Sequence, residues 1–380
     1  MHQMATSTVD VSVLVPVLNE GRTIREVVRA MTAQRFDGTV EFLFADGRSS
    51  DDTKARLEEL GHEDSRIRVL DNPRRGVASG LNVCLRAARG RYVARMDGHA
   101  LYPPTYLRDG VERLMKAGAG SGQSGVAWVA GPQVPAPRGR VTTATAAALG
   151  TSLGRGGSRR WAGAKGAAGE YELDTGVFCG VWRREDVLAK GGWDEGWLCN
   201  EDSELAARFH DAGQRIVCLP SMAASYMPRA TLPALWGQYR LYGVYRARTA
   251  RRHPLSLRRS AVLPPLLVLD TAASVAGPGR VRRLARVGLW AYVAILLAAT
   301  AQAWRAGREA NLTGGSDMGA YTLVPVVMVV MHVAHGVGFL EGCARWGVPW
   351  MALWHVVSAS GEPKPYDGPI AAPSLLNEHG

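Results

Sequence analysis

Val11-Ser-Val-Leu-Val-Pro-Val17 and Val40-Glu-Phe-Leu-Phe-Ala-Asp46 are apolar runs of strand length, the second closed by an acid. Ile67-Arg-Val-Leu-Asp71, Tyr92-Val-Ala-Arg-Met-Asp97 and Val126-Ala-Trp-Val-Ala130 repeat the pattern. Helical stretches fill the intervals: Glu20 to Gln34, Asp51 to Leu60, Val77 to Arg89 and Pro104 to Ala117. Gly61, Gly90 and Gly118 follow three of them, where a left-handed helix stop is expected. This alternation predicts an α/β fold built on a doubly wound, mostly parallel sheet. Such sheets bind ligands beyond the carboxyl ends of their strands. Those ends hold Pro16 to Glu20, Asp46-Gly47, Asp71 to Pro73 and Asp97-Gly98-His99.

Further along, residues 150–175 are rich in Gly, Ala, Arg and Lys without apolar periodicity and read as a loop. Gly176 to Trp182 has the look of a buried segment. A helix is expected from Glu201, with Asn200 as N-cap, Leu205, Ala206, Phe209 and Ala212 on its buried face, and Gly213 as its stop. Residues 231–252 are amphipathic, with Leu232, Leu235, Trp236, Tyr239, Tyr242, Gly243 and Arg246 at helical spacing.

From about residue 261 the composition turns apolar. Val287 to Trp304 and Tyr321 to Leu340 are uncharged runs of 18 and 20 residues, close to the ~20 residues that cross a ~30 Å hydrocarbon core. Ala261 to Gly277 is also apolar but contains Pro264, Pro265 and Asp270, with Arg251, Arg252, Arg258 and Arg259 before it and Arg280, Arg282, Arg283 and Arg286 after it. Positive clusters prefer the cytoplasmic side, so one crossing between two of them is disfavoured. The expectation is an interfacial or re-entrant 261–277 and two spans, with three spans as the alternative. The domain plan is a flexible 1–10, a catalytic 11–250 divided near 135, an anchoring 251–345 and a tail at 346–380. No apolar core precedes the first strand as in a signal peptide, which puts the catalytic part in the cytoplasm.

The chain has 380 residues, is 47% hydrophobic and carries a net charge of +11. That is too apolar for disorder, and the arginine excess suits phosphate, pyrophosphate or anionic lipid. Aromatics are not interleaved with the basic runs, which argues against nucleic acid. Cys84, Cys179, Cys199, Cys218 and Cys343 form no C-x-x-C or Cys/His cluster, which argues against zinc and fits a reducing compartment.

Four stretches carry candidate chemistry. Asp46 to Thr53 joins a strand end to a helix start; Ser49, Ser50 or Asp51 could cap that helix, which leaves Asp46 unexplained. Asp97-Gly98-His99 reads either as a simple turn or as two ligands for a divalent metal that neutralises a diphosphate leaving group. Glu201 and Asp202 open a helix, where the dipole keeps an acid ionised; they either complement that dipole or include a general base. Arg74 to Asn82 opens another helix, as a phosphate contact or a surface turn.

Together these stretches resemble the family 2 inverting glycosyltransferases of the nucleotide-diphospho-sugar transferase (GT-A) fold. The likeness runs through Val15-Pro-Val-Leu-Asn-Glu20, Asp46 to Asp51, Gly76 to Asn82, Ala88 to Tyr92, Met96-Asp97 and Asn200 to Asp202. Asp97-Gly-His-Ala100, Tyr102-Pro-Pro-Thr-Tyr106, Asn200-Glu-Asp-Ser-Glu204 and Gln238-Tyr-Arg-Leu-Tyr-Gly243 are most similar to the branch of succinoglycan-type exopolysaccharide glucosyltransferases. The resemblance implies a nucleotide pocket at Pro16, Asn19, Glu20, Asp46, Gly76 and Asp97, and Asp202 as catalytic base. It implies a divalent metal (Mn2+ or Mg2+) on Asp97 and His99, and an acceptor or phosphate side at Glu201, Gln238, Tyr239 and Arg246. His99 stands where many relatives have a second Asp, and imidazole suits Mn2+ better than Mg2+. Leu241 and Tyr242 replace the Arg-Trp of processive synthases, which argues against a polymerase. The implied partners are a nucleotide sugar, a lipid-linked saccharide and the membrane, with no nucleic acid. A polyprenyl-phosphate acceptor, or a nucleotide-binding scaffold without turnover, are the alternatives.

Overall fold

The computed structural model describes residues 9–117, 125–156, 158–161, 169–312 and 318–358. Its strands are β1 (Val11–Val17), β2 (Val40–Asp46), β3 (Ile67–Asp71), β4 (Tyr92–Arg95), β5 (Val126–Ala130), β6 (Gln133–Pro135), β7 (Tyr171–Leu173), β8 (Gly180–Arg183), β9 (Arg215–Cys218) and β10 (Ala224–Tyr226). The helices of the first half are α1 (Ile24–Thr32), α2 (Thr53–Glu63), α3 (Val77–Ala87), α4 (Tyr106–Lys116), α5 (Arg140–Leu149), α6 (Ser152–Arg155), α7 (Arg184–Ala189) and α8 (Glu201–Asp211). Those that follow are α9 (Leu232–Arg252), α10 (Leu263–Ala276), α11 (Gly279–Leu312), α12 (Val324–Trp346) and α13 (Trp350–Val357).

Two compact units emerge. The first takes residues up to 134 and 162–225, the second 135–161 and 226–363, with Lys364–Gly380 outside the described residues. The first holds an eight-stranded sheet in the order β3-β2-β1-β4-β8-β5-β9-β7. Its β3-β2-β1-β4 half is parallel, as the alternation of runs predicts. The register ends β1, β2 and β3 flush: Val17 lies opposite Asp46, and Asp46 opposite Asp71. Strand order reverses between β1 and β4, the place where open α/β sheets form a ligand crevice.

The other half departs from the expected pattern. β8 runs antiparallel between β4 and β5, and β7 runs antiparallel to β9. Gly176 to Trp182 thus becomes a central strand in its last residues. Trp182 packs on Trp128 and Trp193 with ring centroids 4.8 and 5.8 Å away. Opposite them Gly180 admits the Trp128 indole so closely that a Cβ there would sit 2.0 Å from its Nε1. The 150–175 loop contains α6 and β7, and 162–168 fall outside the described residues.

The helix stops need correction. α2 continues through Gly61 to Glu63, and neither Gly61 nor Gly90 adopts positive φ. Gly90 is small for another reason, because a Cβ there would meet the backbone of Val11 and Ser12 at 2.6–2.8 Å. Gly118 lies outside the described residues, whereas Gly213 has φ +70° after α8. Asn200 does sit at the N-cap of α8, but with φ +60° and no capping bond from its side chain.

In the second unit α9 lies along α12 at backbone contact: a Cβ on Gly338 would fall 1.9 Å from the Arg240 carbonyl. This packing groups α9 and residues 135–161 with the C-terminal helices, whereas the sequence suggests a break near 250. Two segments, Gly279–Glu309 and Met318–Trp346, are long and apolar enough to cross a membrane. They contain the two expected runs, while α10 has 14 residues. Of the expected flexible 1–10 and tail 346–380, residues 1–8 and 359–380 lie outside the described residues, and the described part of the tail contains α13.

Candidate functional site

The loops that leave β1 and β2 are stitched into one polar lattice. Asp46, buried at the end of β2, accepts the Ser49 hydroxyl at 2.6 Å and the Ser49 N–H at 3.2 Å. Ser49 Oγ in turn accepts the Asn19 N–H at 2.9 Å, and Asn19 Oδ1 accepts the Ser50 N–H at 2.8 Å. Glu20 N–H donates to Thr53 Oγ1 and Gly21 N–H to Asp51 Oδ2. Asp51 also accepts the Thr53 N–H, while the N-cap of α2 falls on Asp52, which makes no side-chain capping bond, and not on Ser49, Ser50 or Asp51 as expected; the Asp51 bond from the Thr53 hydroxyl heads the causes that hold its carboxyl below the usual range. Asn19 and Arg48 sit at φ +56° and Arg75 at +60°. Left-handed backbone at side chains other than glycine is a strain that folds keep where a loop must hold one shape.

The loop after β4 meets this lattice. His99 Nδ1 lies 2.9 Å from Glu20 Oε1, and Gly98 packs against Val17 and Glu20. Asp97 points elsewhere. Its two oxygens accept Nε and Nη2 of Arg95 at 2.8 and 3.3 Å, and its N–H donates to the Tyr102 hydroxyl at 2.7 Å. Arg95 Nη1 also donates to Glu201 Oε1 at 2.9 Å. Burial works against the guanidinium charge, but Asp97, Glu201 and Asp202 together hold its pKa above the ordinary value. Burial, partly offset by Arg95, raises the Glu201 carboxyl. Asp202, next along α8 and equally buried, accepts the Ser203 N–H at 2.7 Å.

Gly76 stands at the N-cap of α3, and its carbonyl accepts Asn72 Nδ2 and Ser79 Oγ. Asn82 anchors the stretch before α8: Nδ2 donates to Trp193 O and Glu195 Oε1, and Oδ1 accepts the Trp193 N–H. Glu195 is also paired with Arg74 at 2.7 Å. The motif 74–82 therefore positions 193–195.

The first unit links Asn19 to Asp46 through Ser49, Glu20 to His99 directly, and Asp97 to Glu201 through Arg95, with Asp202 next along α8, Pro16 in β1 and Gly76 at the head of α3. Gln238, Tyr239 and Arg246 belong to α9 of the second unit. There Gln238 receives the Tyr226 hydroxyl at 3.3 Å and donates to the Tyr242 hydroxyl at 2.9 Å. Tyr239 stacks edge-on to Tyr242, and burial pushes its phenol up.

Among the described residues no group of three His, Cys, Asp or Glu is spaced to hold a metal. Asp97 and His99 nonetheless supply a carboxylate and an imidazole from one turn. Both are already engaged, Asp97 by Arg95 and His99 Nδ1 by Glu20, so an ion held there would share the carboxylate with Arg95. Arg95, Tyr102 and Ser49 are not among the site residues expected from the sequence, although Ser49 is a cap candidate there and Tyr102 part of a family-like stretch. A signal for Arg95 was present, a charge inside the apolar run Tyr92 to Met96.

The glycosyl transferase family 2 sequence model matches residues 12–144. The succinoglycan biosynthesis protein ExoA of Rhizobium meliloti (strain 1021) is 30% identical over 329 residues, 86% of this chain and 93% of that protein. The UDP-Glc:alpha-D-GlcNAc-diphosphoundecaprenol beta-1,3-glucosyltransferase WfgD of Escherichia coli is 30% identical over 107 residues, 28% of this chain and 41% of that one. Among solved structures, the mannosyltransferase PcManGT from Pyrobaculum calidifontis, in complex with GDP-Man and Mn2+, aligns over 88% of both chains at 18% identity with a TM-score of 0.47.

Proposed function

The chain belongs to glycosyl transferase family 2, in its succinoglycan-type branch, and from this premise we propose that it moves one sugar from a UDP-linked donor onto a lipid-linked saccharide with inversion. It is a hexosyltransferase of the GT-A type. The observation that carries the finer reading is the chain of contacts at the carboxyl ends of the parallel strands: His99 ties the loop after β4 to Glu20 beside the Asp46–Ser49–Asn19 lattice, and Arg95 ties Asp97 of that loop to the acidic start of α8. One relative, WfgD, names a UDP-sugar donor and a diphosphate-lipid acceptor, and its likeness to 28% of this chain supports that choice.

In this reading Asn19, Glu20 and Asp46 hold the nucleoside, with Pro16 and Gly76 lining the same pocket. A rigid lattice suits that task because a pre-ordered loop loses little freedom on binding. Asp202 takes the proton of the acceptor hydroxyl while that oxygen bonds to the anomeric carbon and the carbon–diphosphate bond breaks. Asp97 and His99 would hold the divalent ion, which supplies charge relief to the departing diphosphate. Gln238, Tyr239 and Arg246 serve the acceptor in the second unit, and Glu201 lies on the phosphate side through Arg95.

The anchor follows from the same acceptor. Leu284, Val287, Trp290 and Leu297 on α11 are exposed, and exposed apolar surface on this scale marks a membrane or partner face. We read α11 and α12 as the spans, with the catalytic unit on the cytoplasmic side. The test is transfer by the purified protein, in lipid nanodiscs, from a panel of UDP- and GDP-sugars to undecaprenyl-diphosphate saccharides. A glycosidic product from a UDP-sugar supports the reading. A sugar phosphodiester of polyprenyl phosphate would replace it, and absence of both transfer and donor hydrolysis would leave a scaffold.

A further inference from the structure

Arg95 belongs to a strand, not to the loops that carry the expected site residues. It is 4% exposed, and a lone guanidinium there would be strongly disfavoured. Its partners therefore say what it is for. Two of its nitrogens clasp both oxygens of Asp97, and the third reaches Glu201. Asp97 is also held through its backbone by Tyr102, which is buried with its ring edge-on to Tyr106 at 4.9 Å. Glu201 is the first residue of α8 and Asp202 the second. One planar side chain thus spans from the loop after β4 to the residue just before the proposed base.

We propose that Arg95 is a positioning residue for transfer: it fixes the Asp97 carboxylate and, through Glu201, the first turn of α8, so that the donor-side acid and the base keep one separation. The inference rests on the roles given above to Asp97 and Asp202. Arginine suits the task because its rigid fork makes directed bonds to two carboxylates at once, whereas lysine offers a point charge on a flexible stem. Displacement of a reacting group by about 1 Å can cost ~10²-fold in rate. A role in positioning therefore lowers kcat, a role in donor binding raises the donor KM, and a role in folding alone lowers stability and nothing else.

The experiment compares the full-length parent with R95K, R95M, E201Q and R95M/E201Q; the double variant removes both charges of the Arg95–Glu201 bridge and keeps the net charge. Each is assayed for kcat and donor KM, for UDP affinity by calorimetry in Mn2+, and for thermal unfolding, with D202N as control. R95K and E201Q are expected to lose roughly 10–10²-fold in kcat, with donor KM and UDP affinity little changed. R95M/E201Q should lose less than the product of the losses from R95M and E201Q alone, because both remove one tie. Parental kcat in R95K and E201Q, with D202N inactive, would overturn the positioning role alone. So would a loss that falls on donor KM or UDP affinity. An active D202N would instead overturn the reading on which it rests. If R95M/E201Q does not fold, R95K and E201Q decide the matter.

Discussion

Asp202 is buried in the first turn of α8 and keeps one oxygen on the Ser203 N–H. Asp202→Asn retains that acceptor and the size of the group, but it cannot take a proton. Transfer is expected to fall by ~10²–10⁴-fold with UDP affinity almost intact, measured by initial rates and calorimetry; near-parental turnover would remove Asp202 from the role of base. Asp97→Ala is expected to weaken UDP binding in Mn2+ and to abolish transfer, and excess chelator should silence the parent until Mn2+ is restored. Full activity in chelator would show that Asp97 serves Arg95 and not a metal. These acids were legible because each stands where a strand ends or a helix begins, positions fixed by hydrophobic periodicity. Arg95 was not, because its partners lie two and 106 residues away in sequence and only the fold joins them. Ser49 escaped for a similar reason, since its hydroxyl looked like a helix cap and instead links Asp46 to Asn19.

Among the elements, β8 and the α9–α12 pair depend on glycine for close approach. Gly180→Ala would push a methyl into the Trp128 indole. Overpacking of this kind costs about 1–3 kcal/mol, which for a domain of this size is roughly 2–4 °C per kcal/mol in unfolding midpoint, read by calorimetry. An unchanged midpoint would mean that Trp128 moves aside freely. Gly338→Leu should separate α12 from α9 at the Arg240 carbonyl, and is expected to reduce folded yield in membranes, read by size-exclusion fluorescence. The parallel strands were legible as continuous apolar runs. β8 was half legible, as an apolar stretch without a direction, because orientation is set by the loops around it. The Gly61 and Gly90 stops misled because glycine serves close packing as well as turns. Gly90 abuts the backbone of β1, so its small size answers a neighbour and not a helix end.

At the scale of the whole chain, charge along the C-terminal helices sets the expected topology. α10 has 14 residues, and at ~1.5 Å per residue it falls short of a ~30 Å core. Arg251, Arg252, Arg258 and Arg259 precede it, and Arg280, Arg282, Arg283 and Arg286 ride the first turns of α11. In the proposed topology both clusters would gain from one anionic cytoplasmic leaflet, ~1 kcal/mol for each arginine near its surface. Both ends of the region are therefore expected inside, with the connection between α11 and α12 outside. Single cysteines at Ser274, Arg283 and Ser316 test this on intact cells with a membrane-impermeant thiol reagent. Cys199 and Cys343 are partly exposed and must be replaced first, whereas Cys84, Cys179 and Cys218 are buried. Burial pushes the Cys84 and Cys179 thiols up to about 12, so they carry almost no reactive thiolate at neutral pH and can stay. Position 316, outside the described residues, should label alone. Labelling at 283 would put the second arginine cluster outside and make α10, despite its length, part of a third crossing.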